Sequence, residues 1–195
     1  MLSEIRDAMK RRAAVRAFRR RHPGVQVDGT LRLRLPEYIH CGEKSAIGEG
    51  SRLYCWDSYR GTKLADSPRI TIGSGVRATR NLTIQCARSV TIGDNVLIAS
   101  DVFIVDYNHG MSPLTPSYLD NPLELSEGVT IEEGAWIGNN VVILPNVTIG
   151  KKSIIGAGSV VTKPIPPFCI AAGNPARIIK RFDFDRNEWS GVYNA

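Results

Sequence analysis

No stretch of this 195-residue chain approaches the ~18 consecutive apolar residues of a membrane span, which argues against a helical membrane protein. The opening segment, MLSEIRDAMKRRAAVRAFRRRHPG, has no apolar core of the kind a secretory signal carries, so the expected location is the cytoplasm. Cysteine is scarce: Cys41, Cys55, Cys86 and Cys169 show no CxxC spacing. That argues against a zinc or disulfide framework and for reduced structural thiols, with Cys86 packing as a small apolar residue. Histidine is scarcer still, with only His22, His40 and His109. No Ser/His/Asp or Cys/His spacing signature is present, and no aromatic platform accompanies the basic residues, so nothing points to nucleic acid.

What the chain does have is a beat of six. Ile131, Ile137, Ile143, Ile149, Ile155 and Val161 are spaced six apart, and their fourth followers Ala135, Val141, Val147, Ser153, Ser159 and Ile165 are small or β-branched. With aliphatics at roughly a quarter of residues, six successive hits have a chance on the order of one in a few thousand. Six matches neither the 3.6 of a helix nor the two of a strand. The economical solution is a solenoid in which each hexad gives one short strand and one corner, three hexads close a triangular coil, and the anchors point inward. Gly73, Gly93, Gly138, Gly150 and Gly156, each one place after an anchor, are expected at backbone bends.

The beat runs backward through Ile92, Ile98 and Ile104, then Ile72, Ala78 and Ile84, with an outlying pair at Ile47 and Leu53. A step of eight separates Ile84 from Ile92, and a step of 27 separates Ile104 from Ile131. The second gap, rich in proline, reads as a loop over residues 105–130 extruded from a corner. The expected organisation is therefore a basic N-terminal helix over 1–24, irregular leading coils over 25–69, a β-helix over 70–173 and a short helical C-terminal tail over 174–195, in one mainly β domain.

Net charge is +6, and much of it is local. Residues 1–21 hold Arg6, Lys10, Arg11, Arg12, Arg16, Arg19, Arg20 and Arg21 against Glu4 and Asp7. One reading is a solvated basic face whose apolar side (Ile5, Met9, Ala13, Phe18) rests on the solenoid end. The other is contact with an anionic surface, either membrane lipid or a phosphorylated substrate.

The strings ITIGSG, VTIGDNVLIASDVFI, WIGNNVVILPNVTIGKKSIIGAGSVVTK and IPPFCIAAGNPARIIK resemble the left-handed β-helix hexapeptide acyltransferases. The resemblance is nearest to the galactoside and maltose O-acetyltransferase branch and its xenobiotic and surface-polysaccharide relatives, and covers residues 70 to 181. It implies left-handed coils, a homotrimer with active sites between subunits, acetyl-CoA as donor without a metal, and a sugar or glycan acceptor. The period of six by itself reveals neither hand nor oligomer.

Acyl transfer from a thioester needs a base for the acceptor's proton and donors for the oxyanion. Histidine suits the first task. His109, in DYNHG five residues after anchor Ile104, occupies the place of the family's catalytic histidine. His22 and His40 read as surface or packing residues. The oxyanion donor is expected to be a backbone N–H. Asp106, Asn108 or a backbone carbonyl could orient the His109 ring, and the sequence leaves that choice open.

Matched motif positions further imply cofactor contacts at Trp136, Asn139, Ala157, Thr162, Lys163, Arg177 and Lys180. Thr162 and Lys163 match the pair near the 3′-phosphate of CoA, Arg177 and Lys180 a cationic rim. Trp136 has a second reading as trimer packing. Thr79 and Asn81 match the acceptor region, where Arg80 departs from the sugar-enzyme pattern, and Asp106 and Tyr107 stand beside them as acceptor contacts. Tyr118 and Asp120 are acceptor candidates on chemical grounds.

The leading expectation is O-acetylation of a sugar hydroxyl, in surface-polysaccharide biosynthesis. N-acetylation of an amino sugar or xenobiotic, a hexapeptide carbonic anhydrase and a non-catalytic trimeric scaffold are the alternatives. Histidines at 22, 40 and 109 do not fall on neighbouring coils, which counts against the zinc enzyme.

Overall fold

Inward anchors every six residues do build a triangular prism. The structure is a computed structural model, described over residues 2–192; within that range the side chains of residues 2–5 and 7, Ile5 among them, lie outside the description. Each coil lays one short parallel strand on each of three faces. Coil 1 is Gln26–Val27, Arg32–Arg34 and Ile39–Cys41; coil 2 is Ala46–Ile47, Arg52–Cys55 and Arg69–Ile72; coil 3 is Arg77–Ala78, Thr83–Cys86 and Ser89–Ile92. Coil 4 is Leu97–Ile98, Phe103–Val105 and Val129–Ile131, and coil 5 is Trp136–Ile137, Val142–Ile143 and Thr148–Ile149. Coil 6 is Ile154–Ile155, Val160–Val161 and a bridge from Ile165 to Ile149.

The anchors stack directly on one another. Ile98 pairs with Ile137, Ile104 with Ile143 and Ile131 with Ile149, and all six are fully buried or nearly so. Burial of a residue this size contributes about 2 kcal/mol. The buried serines close the backbone between coils. The Ser153 and Ser159 hydroxyls donate to the Pro166 and Gly156 carbonyls and accept from the Cys169 and Gly173 N–H groups.

Four expectations are corrected. The solenoid begins at Gln26 rather than residue 70, because Val27, Leu33 and Ile39 already keep the six-residue spacing and lie on the core of coil 1. The C-terminal tail is not helical: Ala176–Asp183 and Glu188–Gly191 are antiparallel strands added to the first face beside Cys169–Gly173. The glycines after the anchors serve close approach rather than bending. A Cβ on Gly138 would stand 2.7 Å from the Ala157 nitrogen of the next coil, whereas the left-handed bend falls two residues later, at Asn140 (φ 55).

The fourth concerns the helix. It runs Leu2–Arg21 as expected, but Phe18 is its fully buried residue, with Val15 packed beside it, while Met9 is 65% exposed. His22, just past its end, lies with Nδ1 3.1 Å from the Cys41 carbonyl and Nε2 3.2 Å from that of Ile39, and so ties the helix to the third face.

Both steps in the beat have structural causes. The step of eight is a tight corner at Ala87-Arg88, and coil 4 leaves the prism after Val105. The excursion is not without structure: Tyr107–His109 pairs antiparallel with Leu123–Leu125. A second excursion from coil 2 forms the hairpin Ser58–Tyr59 and Thr62–Lys63 at the same edge.

Candidate active site

The two excursions meet above the second face. Between them lies a cavity of about 500 Å³, floored by Gln85, Phe103 and Val105 and walled by Trp56 and Tyr59 from one side and Tyr107, Asn108, His109 and Leu123 from the other. Its walls are aromatic, with polar groups at few points, which is how small-molecule sites are commonly built. Gln85 is fixed there: its Oε1 accepts from the Trp56 indole N–H at 2.8 Å, so its NH₂ is the group left to donate.

His109 has a defined tautomer. The Tyr59 hydroxyl lies 2.7 Å from the Leu119 carbonyl, which can only accept, so its single proton goes there. Tyr59 Oη is also 3.2 Å from His109 Nδ1. With the hydroxyl proton engaged elsewhere, Nδ1–H donates to Tyr59, so in the neutral ring the lone pair is the one on Nε2. The rings meet edge to face at 5.4 Å between centroids. Tyr59 is thus the orienting group, in place of Asp106, Asn108 or a backbone carbonyl.

Asp106 does not reach the cavity. It is fully buried, and its carboxylate accepts from the Ala87, Arg88 and Ser89 N–H groups at 2.7, 2.9 and 2.6 Å. The carboxylate locks the tight corner of coil 3 and anchors the strand that carries His109, so its expected place among the acceptor contacts is corrected to a structural one. The Cys86 thiol donates to it at 3.3 Å. Its hydrogen bond with Cys55, burial and the Asp106 charge push that thiol far above its usual range. Burial first, then Asp106, raises the Tyr107 phenol to about 12, so Tyr107 stays a neutral donor in the cavity wall.

The remaining candidates divide between two edges. Thr162 and Lys163 are exposed on the edge from which the His109 strand departs, two coils further along, a rise of about 10 Å. On the opposite edge of the second face, Thr79 and Asn81 lie at the same corner of the prism as Asn139 and Ala157. Gly158 N–H donates to the Asn139 carbonyl at 2.8 Å, Asn140 N–H to the Ser100 carbonyl at 3.0 Å and Asp101 N–H to the Arg80 carbonyl at 3.1 Å. Asn81 Nδ2 donates to Asp101 at 2.8 Å, and Asn139 Oδ1 accepts from the Ser100 N–H.

Arg177 and Lys180 are exposed on the C-terminal strand, paired with Ala172 and Ile170. Trp136 stands outward on the first face, 48% exposed, in a groove of about 370 Å³ with Phe168, Phe182, Phe184 and Trp189. Asp120 forms an ion pair with Arg60 at 3.1 Å, and Tyr118 is exposed.

Tyr59, Trp56, Gln85 and Phe103 escaped the sequence reading. Trp56 and Tyr59 had a signal in the aromatic cluster of LYCWDSY, whereas Gln85 and Phe103 are outward positions of regular strands and had none.

A family model described as bacterial transferase hexapeptide (six repeats) matches residues 128–163. Galactoside O-acetyltransferase of Escherichia coli (strain K12) is 47% identical over 119 residues, which cover 61% of this chain and 57% of that protein. The putative lipopolysaccharide biosynthesis O-acetyl transferase WbbJ of the same strain is 37% identical over 159 residues, covering 77% of this chain and 76% of that protein. Among solved structures, a galactoside acetyltransferase in complex with coenzyme A aligns with a TM-score of 0.52 at 33% identity, over 87% of this chain and 69% of that one.

Proposed function

Because the chain belongs to the bacterial transferase hexapeptide family of acetyltransferases, we propose that it carries an acetyl group from acetyl-CoA to a sugar hydroxyl, with His109 as general base. The observation that carries this reading is the His109 ring: Nδ1 bound to Tyr59, Nε2 free, at the wall of an aromatic cavity of sugar size. Relatives named for galactoside and lipopolysaccharide O-acetylation favour oxygen as the nucleophile and a surface glycan as the destination.

The residues present fit the donor. Along the edge of Asn139 and Ala157 the side chains are small, and a Cβ added at Gly158 would find no atom within 4 Å, so that edge offers an open trough for a thin, extended chain such as pantetheine. Thr162 and Lys163 would hold the 3′-phosphate, Arg177 and Lys180 the other phosphates. Bound there, acetyl-CoA supplies a thioester carbonyl activated for attack.

His109 Nε2 takes the acceptor hydroxyl's proton as oxygen attacks the thioester carbonyl and passes it to the departing CoA sulfur as the C–S bond breaks, so CoA leaves as the thiol. Tyr59 accepts from Nδ1–H throughout, so the proton enters and leaves the ring at Nε2. Tyr107 and the Gln85 amide orient the acceptor, and a backbone N–H steadies the developing oxyanion.

Asn139 and Ala157 lie on one edge of the second face and Thr162 and Lys163 on the other, with Trp136, Arg177 and Lys180 on the first face, so a complete cleft would draw its parts from two copies. Outward apolar columns suit that assembly: Leu97, Trp136, Ile154 and Ile170 on the first face, Phe103, Val142 and Val160 on the second. The assembly is a homotrimer in which each cavity faces a neighbour.

The test is CoA release from acetyl-CoA across sugars, amino sugars and sugar nucleotides, wild type beside His109→Ala. The expected result is acceptor-dependent release in wild type and a kcat lower by about 10²- to 10⁴-fold in the variant, with a product cleaved by mild base as an ester is. Unchanged turnover in the variant removes His109 from the mechanism, and a base-stable product makes the acceptor an amine.

A further inference from the structure

The second face does not end at the cavity. Below Gln85 its outward positions are Tyr54 and Arg34 in one file and Thr83, Arg52 and Arg32 in the other. From this arrangement we infer that the acceptor is a sugar bearing a phosphate or diphosphate, whose anionic group docks on Arg34, Arg52 and Arg32 while the sugar fills the cavity beside His109. This rests on the acetyl-transfer reading and names the substrate class for it.

Three observations carry the inference. First, Arg34 is held at the cavity rim. Its guanidinium stands 4.1 Å from the centroid of the Trp56 ring, the same indole that walls the cavity and fixes Gln85, and its charge acts on the Tyr107 phenol in the opposite wall. Second, Arg32 and Arg52 are direct register neighbours on adjacent strands, where like charges repel. Among the described residues none of the three arginines has a carboxylate partner. Over coils 1 to 4 the outward positions of this face hold no acid at all. An anion bound between the guanidinium groups would neutralise that repulsion, and their planar forks match phosphate oxygens bidentately.

Third, the spacing fits. Coils rise by about 4.8 Å, so the Arg34 backbone starts about 10 Å from the Gln85 floor, within reach of a long side chain toward a diphosphate joined to the sugar. The outward character of the face then changes along the axis, from arginine in coils 1 and 2 to apolar in coils 4 to 6. A bipolar acceptor, anionic at one end and neutral at the reacting sugar, would match that order.

The experiment compares kcat/KM for one sugar presented as a neutral glycoside, as a nucleoside-diphosphate sugar and as a short-chain prenyl-diphosphate sugar, using wild type, Arg34→Gln/Arg52→Gln and Arg34→Lys/Arg52→Lys. Wild type is expected to prefer the diphosphate acceptors, the glutamine pair to lose roughly 10- to 100-fold on them through KM and several-fold less on the neutral glycoside, and the lysine pair to recover part of the loss. Whichever diphosphate acceptor has the higher kcat/KM identifies the source. Equal losses on neutral and anionic acceptors, or a wild-type preference for the neutral glycoside, overturn the subsite.

Calorimetric titration of inorganic pyrophosphate without acetyl-CoA separates the two readings. Binding weakened in the glutamine pair supports the subsite even if no acceptor is acetylated, an outcome that would overturn acetyl transfer alone. Binding unchanged in that pair overturns the subsite.

Discussion

The Tyr59 hydroxyl governs the pairing of His109, the proposed base. Its proton is engaged by the Leu119 carbonyl, so His109 donates from Nδ1 and the neutral ring carries its lone pair on Nε2. Tyr59→Phe is expected to lower kcat roughly 10- to 100-fold with little change in the KM for acetyl-CoA, and ¹⁵N NMR should show the ring leaving the Nδ1–H form. A ring that stays in that form in the variant would remove Tyr59 from this role. Lys163→Ala is expected to weaken CoA roughly 10-fold while leaving dephospho-CoA nearly untouched; equal losses would sink the 3′-phosphate contact. His109 could be proposed from the sequence because the resemblance matches its motif, DYNHG, just after a regular anchor. Tyr59 could not, since it arrives from 50 residues away on a hairpin that the beat of six does not mark.

At the scale of elements, the decisive feature is a corner. Asp106 gathers three backbone N–H groups from the coil below, so the strand bearing Tyr107 and His109 leaves the prism from a fixed root. Removing a buried carboxylate strands those donors. Asp106→Ala is expected to cost about 3 kcal/mol in urea-induced unfolding, with Asp106→Asn milder because one acceptor oxygen remains. A native-like unfolding midpoint in the alanine variant would contradict the assigned role. In sequence, Asp106 beside Tyr107 read as an acceptor contact, because chemical character does not reveal which way a side chain turns where a strand leaves a coil. The C-terminal strands escaped for a related reason: their pairing partner, Cys169–Gly173, exists only once the coil beneath has formed.

At the scale of the whole molecule, the outward surface is sorted by face. The third face carries Thr71, Thr91, Thr130 and Thr148 in register, whereas the first and second carry the apolar columns. Large apolar columns of this kind mark contact surfaces. Trp136→Arg is expected to shift sedimentation from a three-chain particle toward single chains and to weaken acetyl-CoA binding at the same time. A three-chain particle that persists with intact binding would place the contact elsewhere. The helix belongs to this scale too: it closes the open end of the prism with Phe18 and Val15, and its arginines Arg19 and Arg21 reach back to the Val27 and Pro36 carbonyls.

By itself the sequence determined the solenoid, its anchors and the places where the beat fails, because an inward residue every six positions is a local, periodic demand that packing must satisfy. It also singled out His109 as the candidate base, because the family resemblance puts a histidine at that place in the motif. Only the tertiary structure decided what the irregular segments do, since the hairpin at 58–63 and the strand at 107–109 come from different coils and acquire meaning where they meet. Their meeting made Tyr59 a partner of His109, and the stacking of coil 4 on the corner at residues 87–89 turned Asp106 inward. The alignment of Arg32, Arg52 and Arg34 beneath the cavity has the same origin: residues far apart in the chain become neighbours because parallel coils stack in register.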